Sequence, residues 1–93
     1  MKRISEWENF VKQPTSLKLP ESDKQAVLSF LKTREPDAAA ASYTMDEIAG
    51  GSTDIPLCAY EYGEYYWDSR DILYFEKYDM PLLSDFLKMV LKQ

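Results

Sequence analysis

The sequence predicts an α+β fold, a single small domain in which N- and C-terminal helices pack on a short antiparallel β-hairpin or sheet. Apolar residues recur with helical spacing near both ends of the chain, and the pattern changes to alternation between residues 55 and 68. The 93 residues suffice for one domain, 1–93, and are too few for two. Because an isolated hairpin is barely stable, we expect the helices to cover one of its faces.

Two helices are predicted in the first third of the chain. Ser5 and Glu8 have the spacing of a capping box, and a proline closes the segment that follows. The apolar face of this helix consists of Ile4, Trp7, Phe10 and Val11. Ser22 and Gln25 repeat the capping-box spacing ahead of a second helix that runs to about residue 34. Its apolar stripe consists of Val27, Phe30 and Leu31.

The segment 37–48 has two interpretations. Its four alanines favour a helix, whereas Ser42-Tyr43-Thr44 suits a short strand. Thr44 is also placed to cap a short turn through residue 48, and Gly50-Gly51 ends whatever precedes it. We leave helix and strand open here.

Residues 55–68 are predicted to form a β-hairpin. Leu57, Ala59 and Glu61 alternate with Cys58, Tyr60 and Tyr62, and Gly63-Glu64 separates two tyrosine-rich runs. The sequence does not decide which of these side chains face the core, because a tyrosine has an apolar ring and a polar hydroxyl and suits either face.

The last third of the chain predicts a C-terminal helix. Ser69 as a cap and Asp71 in the first turn favour a helix over 70–78, although a third strand fits the same residues. Asp79 and Pro81 suit the cap and first turn of the last helix. Its stripe, which we expect to form the core with Trp7 and Phe30, consists of Leu83, Phe86, Leu87 and Val90.

Charge is distributed unevenly along the chain. Residues 1–36 contain seven Lys/Arg and five Asp/Glu, whereas residues 37–79 contain two Lys/Arg and ten Asp/Glu, a net charge of −8. Nucleic acid needs a basic footprint, so we expect no nucleic-acid partner. A basic protein would be attracted to this field.

Several kinds of chemistry lack their usual residues. The chain contains no histidine, its glycines match no phosphate-binding loop, and the carboxylates lack the spacing of a calcium loop. Cys58, the only cysteine, lies among apolar residues and is expected to be a small buried hydrophobe. We therefore expect no enzyme, cofactor or metal site. A single cysteine, no signal peptide and no membrane-spanning run predict a cytoplasmic protein.

The stretch YEYGEYYWDSRD, residues 60–71, concentrates aromatic rings and carboxylates. For any single residue the simpler interpretation is that tyrosines pack on helices while acids keep the sheet soluble. For the whole stretch we favour an interface, because Tyr and Trp are enriched at binding hot spots and a hairpin holds them rigidly. The predicted partner-binding residues are Glu61, Tyr62, Glu64, Tyr65, Tyr66, Asp68 and Asp71. On this hypothesis, charge reversal at Asp68 and Asp71 weakens binding without changing the thermal midpoint.

In size, acidity and this Tyr/Asp/Glu-rich middle, the chain resembles the small immunity proteins that protect bacteria from their own polymorphic or contact-dependent toxins. The resemblance implies tight binding to one cognate basic, nuclease-type toxin, at its active site or at an adjacent exosite. Carboxylates would take the place of phosphates, and tyrosines the place of stacked bases. Three alternatives stay open: an adaptor or anti-repressor, a phage-type inhibitor that uses the same acidic face, and a self-associating homodimer.

Overall fold

A computed structural model describes residues 1–92 of the chain and contains helices and strands in one α+β domain, as predicted. The helices are α1 (Trp7–Lys12), α2 (Glu21–Lys32), α3 (Ser69–Tyr78) and α4 (Ser84–Leu91). The strands are β1 (Lys2–Arg3), β2 (Ala38–Asp46), β3 (Gly51–Tyr62) and β4 (Tyr65–Asp68).

The four strands form one mixed sheet in the order β1-β4-β3-β2. The predicted hairpin is confirmed as the antiparallel pair β3–β4, and Gly63 supplies the positive φ of 61° that its turn requires. The sheet is larger than the predicted hairpin, because β2 pairs antiparallel with β3 and β1 pairs parallel with β4. A strand of two residues such as β1 has no sequence pattern by which it can be recognised.

Residues 38–46, for which helix and strand were both open, form strand β2. Pairing with β3 outweighs the helix propensity of the alanines, since propensity is a weak preference that tertiary contacts override. The register shifts on both sides of Tyr43. Thr44 caps no turn and is a buried residue of the strand. The turn after the strand is capped by Asp46, whose Oδ1 accepts the N–H groups of Ile48 and Ala49.

The two faces of the sheet differ sharply in their surroundings. On β4, the rings of Tyr65 and Trp67 point toward the helices and contact Phe86 at centroid distances of 5.2 and 5.7 Å. Side chains alternate along a strand, and directly paired residues share a face. Glu61 pairs with Tyr66 and therefore lies on the opposite face of the sheet.

The core confirms the predicted packing of the last helix. Phe86 is fully buried and Val90 nearly so, while Leu83 and Leu87 are partly buried against the same cluster. Phe30 of α2 belongs to this core and lies 5.9 Å from Phe86 between ring centroids. The core thus joins α2 and α4 to one face of the sheet.

Residues 69–78 form helix α3, so the alternative of a third strand at this position is wrong. The cap is Asp68 rather than Ser69: its side chain accepts the N–H of Arg70, and Asp71 accepts the N–H of Asp68 in a complete capping box. Asp79 also differs from its prediction. It ends α3 in the left-handed conformation, with φ 55°, and does not begin α4.

Both capping boxes predicted near the N-terminus are wrong. Helix α1 begins at Trp7 without a side-chain cap, because the Ser5 hydroxyl donates to the carboxylate of Asp71. Helix α2 begins one residue before Ser22, and Gln25 donates to the side chain of Glu21. Ser5 and Gln25 therefore bond the side chains of Asp71 and Glu21 and not the first N–H groups of a helix.

Candidate protein-binding surface

The structure divides the seven predicted partner-binding residues between surface and interior. Exposed side chains belong to Glu61, Tyr62 and Glu64, and Tyr66 is half-buried. The other three, Tyr65, Asp68 and Asp71, are buried. Because buried groups offer no surface to an approaching partner, we exclude these three from the candidate surface.

Tyr65 and Tyr62 are paired across β4 and β3 and both point toward the helices. Tyr65 packs in the core against Phe86. Tyr62 is 37% exposed, and its ring lies edge to face with Phe30 at 5.0 Å between centroids. The guanidinium carbon of Arg34 lies 4.1 Å from the centroid of the Phe30 ring and 4.9 Å from that of Tyr62. These tyrosines follow the simpler interpretation, in which the rings pack on helices.

Asp68 and Asp71 hold the N-terminal segment against α3. Arg3 Nη2 lies 2.7 Å from a carboxylate oxygen of each aspartate, and Arg70 Nη2 lies 2.6 Å from Asp68. The two arginines flank Trp7, with guanidinium carbons 5.6 and 4.3 Å from its ring centroid. Charges of opposite sign are matched within this cluster, so it contributes little to the field outside the molecule.

The environments of the two aspartates shift their pKa values in opposite directions. Burial alone would raise the pKa of Asp68, but hydrogen bonds from Arg70 and Arg3 outweigh it and lower the pKa. Burial raises the pKa of Asp71 even though Arg3 and Ser5 favour its charged form. Both carboxylates are therefore parts of the fold whose charge is balanced internally.

A different part of the chain carries acids without counterions. We define the acidic hairpin as residues 35–62, which comprise β2, β3 and their connections and contain no Lys or Arg. Of its six acids, only Asp46 has an ion pair within residues 1–92, to Lys77 at 2.9 Å. The five others are exposed: Glu35, Asp37, Glu47, Asp54 and Glu61.

Large apolar side chains are exposed on the same hairpin. Tyr43 and Met45 are 60% and 52% exposed, whereas Thr44 and Asp46, which alternate with them, are 1% and 2% exposed. Asp46 contacts Lys77 and Tyr78 of α3, so Tyr43 and Met45 project from the face that these helical residues do not cover. Two neighbouring exposed apolar side chains within an acidic surface make this face a candidate interaction site.

Helix α3 holds the acidic hairpin in place near its turn. The Tyr74 hydroxyl accepts the N–H of Glu47 at 3.1 Å and donates to the carbonyl of Met45 at 3.3 Å. Asp46 accepts hydrogen bonds from Lys77 at 2.9 Å and from the Tyr78 hydroxyl at 2.8 Å. A surface fixed in this way loses little conformational entropy when it binds.

The sequence located the acidic middle of the chain, and the candidate surface lies largely before the seven residues predicted from the sequence. Tyr43 and Met45 were missed because residues 37–48 had no assigned structure, and Asp54 was missed because it lies just before the predicted hairpin, 55–68. The alternation Tyr43-Thr44-Met45-Asp46 was the available signal, since an apolar–polar alternation indicates a half-buried strand. The side that faces solvent still could not be assigned without the contacts of α3.

No helix within residues 1–92 has the length and apolar character needed to cross a membrane. In the same range, no three His, Cys, Asp or Glu side chains are grouped as a metal site would require.

Comparisons of the chain with protein-family models, with curated proteins and with solved structures found no match.

Proposed function

We propose that the protein is a non-enzymatic binding protein whose acidic hairpin docks a basic protein, in the manner of an immunity protein that neutralises a nuclease-type toxin. One observation carries this proposal: five exposed carboxylates without an ion pair share a rigid, lysine- and arginine-free hairpin with exposed Tyr43 and Met45.

The charges support a basic partner. Opposite potentials on two proteins accelerate their encounter and disfavour partners of the wrong sign. Elsewhere on the surface, acids such as Glu64, Glu76 and Asp79 lie beside a lysine, which reduces their field. Other exposed acids, among them Glu8, Glu21 and Asp85, also lack an ion pair within residues 1–92, but the acidic hairpin lies in the longest stretch of the chain without Lys or Arg.

The exposed apolar residues support binding of a specific partner rather than nonspecific electrostatic association with cations. An aromatic ring and a flexible thioether bury large areas on binding, and tyrosine is frequent at hot spots. Carboxylates around them match the cationic groove that a nuclease uses for phosphates. This combination favours inhibition of a nucleic acid-directed enzyme over a general adaptor role.

The test is capture of partners from a lysate of the native host with three forms of the protein. The wild type is compared with a hairpin variant, Asp37→Asn, Asp54→Asn and Glu61→Gln, and with a control variant, Glu8→Gln, Glu21→Gln and Asp85→Asn. Both variants remove three exposed charges, and only the first removes them from the acidic hairpin. We expect the wild type and control to retain a basic protein, identified by mass spectrometry, that the hairpin variant loses.

The captured protein is then purified and assayed for nuclease activity. We expect the wild type to inhibit it at a one-to-one ratio and the hairpin variant to inhibit only at far higher concentration. Equal capture by the two variants would contradict a role for the acidic hairpin. A captured protein whose activity is unaffected by this chain would contradict the inhibitory function.

A further inference from the structure

A cavity of about 390 Å³ opens between α2, β3 and α3. It lies on the helix side of the sheet, where the ring of Tyr60 stacks on Trp67 with centroids 5.8 Å apart. The volume falls within the range of about 300–1,000 Å³ found for small-molecule pockets. Most of the lining is apolar or aromatic and consists of Ile55, Pro56, Cys58, Tyr60, Ile72 and Leu73.

The charges at the cavity cancel each other. Lys32 Nζ lies 2.5 Å from a carboxylate oxygen of Glu76, and no other Asp, Glu, Lys or Arg of residues 1–92 belongs to the lining. Glu61, which follows Tyr60 in β3, pairs with Tyr66 and lies on the opposite face of the sheet. An ionised ligand would lose its hydration in the cavity without gaining a free charge of opposite sign. The cavity therefore favours a neutral molecule over an anion or a cation.

One polar group of the lining remains open to a ligand. The Ser69 hydroxyl is already used, since it donates to the carbonyl of Pro56 at 2.8 Å and accepts the N–H of Cys58 at 3.0 Å. The Tyr60 hydroxyl has no hydrogen-bond partner within residues 1–92. Burial raises the pKa of Tyr60, and the nearby Cys58 acts in the same direction, so this hydroxyl is neutral at pH 7. It can donate or accept one hydrogen bond.

We propose that this cavity binds a neutral, mainly apolar small molecule that carries one hydrogen-bonding group for the Tyr60 hydroxyl. Apolar walls with a few polar groups that fix orientation are the usual composition of such a pocket. The site is additional to the proposed docking of a basic protein and does not depend on it.

Indole is a suitable probe, because it is neutral, largely apolar and has a single N–H donor. Indole-3-acetate and tryptamine have the same ring with a negative and a positive charge. In NMR titrations we expect indole to bind saturably and at least about tenfold more tightly than either charged analogue. The resonances that shift should be those of Ile55, Ile72 and Leu73.

A matched pair of variants tests the hydrogen bond. Tyr60→Phe removes the hydroxyl and keeps the ring, and we expect it to weaken indole binding about threefold or more. The same variant should bind 1-methylindole, which has no N–H, as tightly as the wild type does. Tyr62→Phe removes a hydroxyl from the same strand outside the lining and should leave indole binding unchanged. Circular dichroism confirms that both variants are folded.

Indole shifts that grow linearly up to its solubility limit, or that centre on residues outside the lining, would overturn the proposal. Tighter binding of either charged analogue would overturn it as well, and so would unchanged indole binding by Tyr60→Phe. Failure of the proposed function is a separate result, because the lysate experiment depends on the charges of Asp37, Asp54 and Glu61 and requires no small molecule.

Discussion

Asp71 is a buried carboxylate that connects three parts of the chain. It accepts hydrogen bonds from Arg3 of β1, from Ser5 and from the backbone N–H of Asp68 at the start of α3. Taking a charge out of water is costly, and its partners offset that cost only while all of them are present. Its role is therefore in the fold and not in contact with a partner.

The first prediction concerns Asp71→Asn. We expect the free energy of unfolding in urea to fall by about 3 kcal/mol, because Arg3 loses a buried partner and the capping box loses an acceptor. The control Glu61→Gln, at an exposed site, should change it by less than about 0.5 kcal/mol. A fully stable Asp71→Asn protein with impaired partner binding would restore the role predicted from the sequence.

The second prediction concerns acid unfolding and Asp46. Burial alone would raise the pKa of Asp46, but hydrogen bonds from Ala49, Lys77 and Tyr78 lower it to about 2. A carboxyl group whose pKa is depressed on folding contributes stability above its unfolded pKa, near 3.8, and that stability is lost as the pH falls toward 2. Because half-exposed Lys77 is screened by solvent, we expect this contribution to be about 1 kcal/mol.

The measurement is the free energy of unfolding of wild type and Asp46→Asn between about pH 5 and pH 2. The variant should lose less stability than wild type over this interval. Parallel curves would show that the bonds around Asp46 do not favour its charged form.

At the scale of elements, Phe86 is the most deeply buried contact between α4 and the rest of the domain. Phe86 has no exposed surface and lies within 6 Å, between ring centroids, of Phe30, Tyr65 and Trp67. These residues come from α2 and from β4, so Phe86 packs at the junction of two helices and the sheet.

The third prediction is that Phe86→Ala lowers the free energy of unfolding by about 3–5 kcal/mol, enough to unfold much of so small a domain. Leu91→Ala, in the same helix but 39% exposed, should cost about 1 kcal/mol or less. Thermal unfolding followed by circular dichroism measures both. Similar losses for the two variants would mean that α4 is not fixed by this contact.

Elements with a strong local pattern were predicted from the sequence, and their exact ends were not. In the hairpin β3–β4 and in the last helix, apolar residues recur with the period of a strand and of a helix, and this period depends only on neighbouring residues. The predicted caps at Ser5 and Asp79 are wrong because each side chain bonds a partner that the tertiary structure brings near, Asp71 and Lys24 respectively. Ser22 is not a cap because α2 begins at Glu21. Ser5 is the clearest case, since its partner Asp71 is 66 residues away.

For the whole molecule, the consequence of the charge distribution is steering of a partner. The fourth prediction is that the association rate with the captured basic protein falls at least about tenfold between about 50 and 500 mM salt, as the Debye length shortens. The hairpin variant Asp37→Asn, Asp54→Asn and Glu61→Gln should show a shallower dependence, measured by stopped-flow fluorescence. A rate that does not change with salt would argue against electrostatic docking.

The sequence by itself determined the α+β class, the apolar faces of the end helices and the concentration of negative charge in the middle of the chain. Each of these is local, since composition and periodicity are properties of neighbouring residues. Only the tertiary structure decided which carboxylates form an ion pair and which do not. Asp68 and Asp71 meet Arg3, more than 60 residues earlier, while Asp54 and Glu61 meet no cation within residues 1–92. An ion pair between distant segments cannot be recognised from the pattern of neighbouring residues. Which charges of this protein remain exposed and unpaired is therefore decided only when the chain folds.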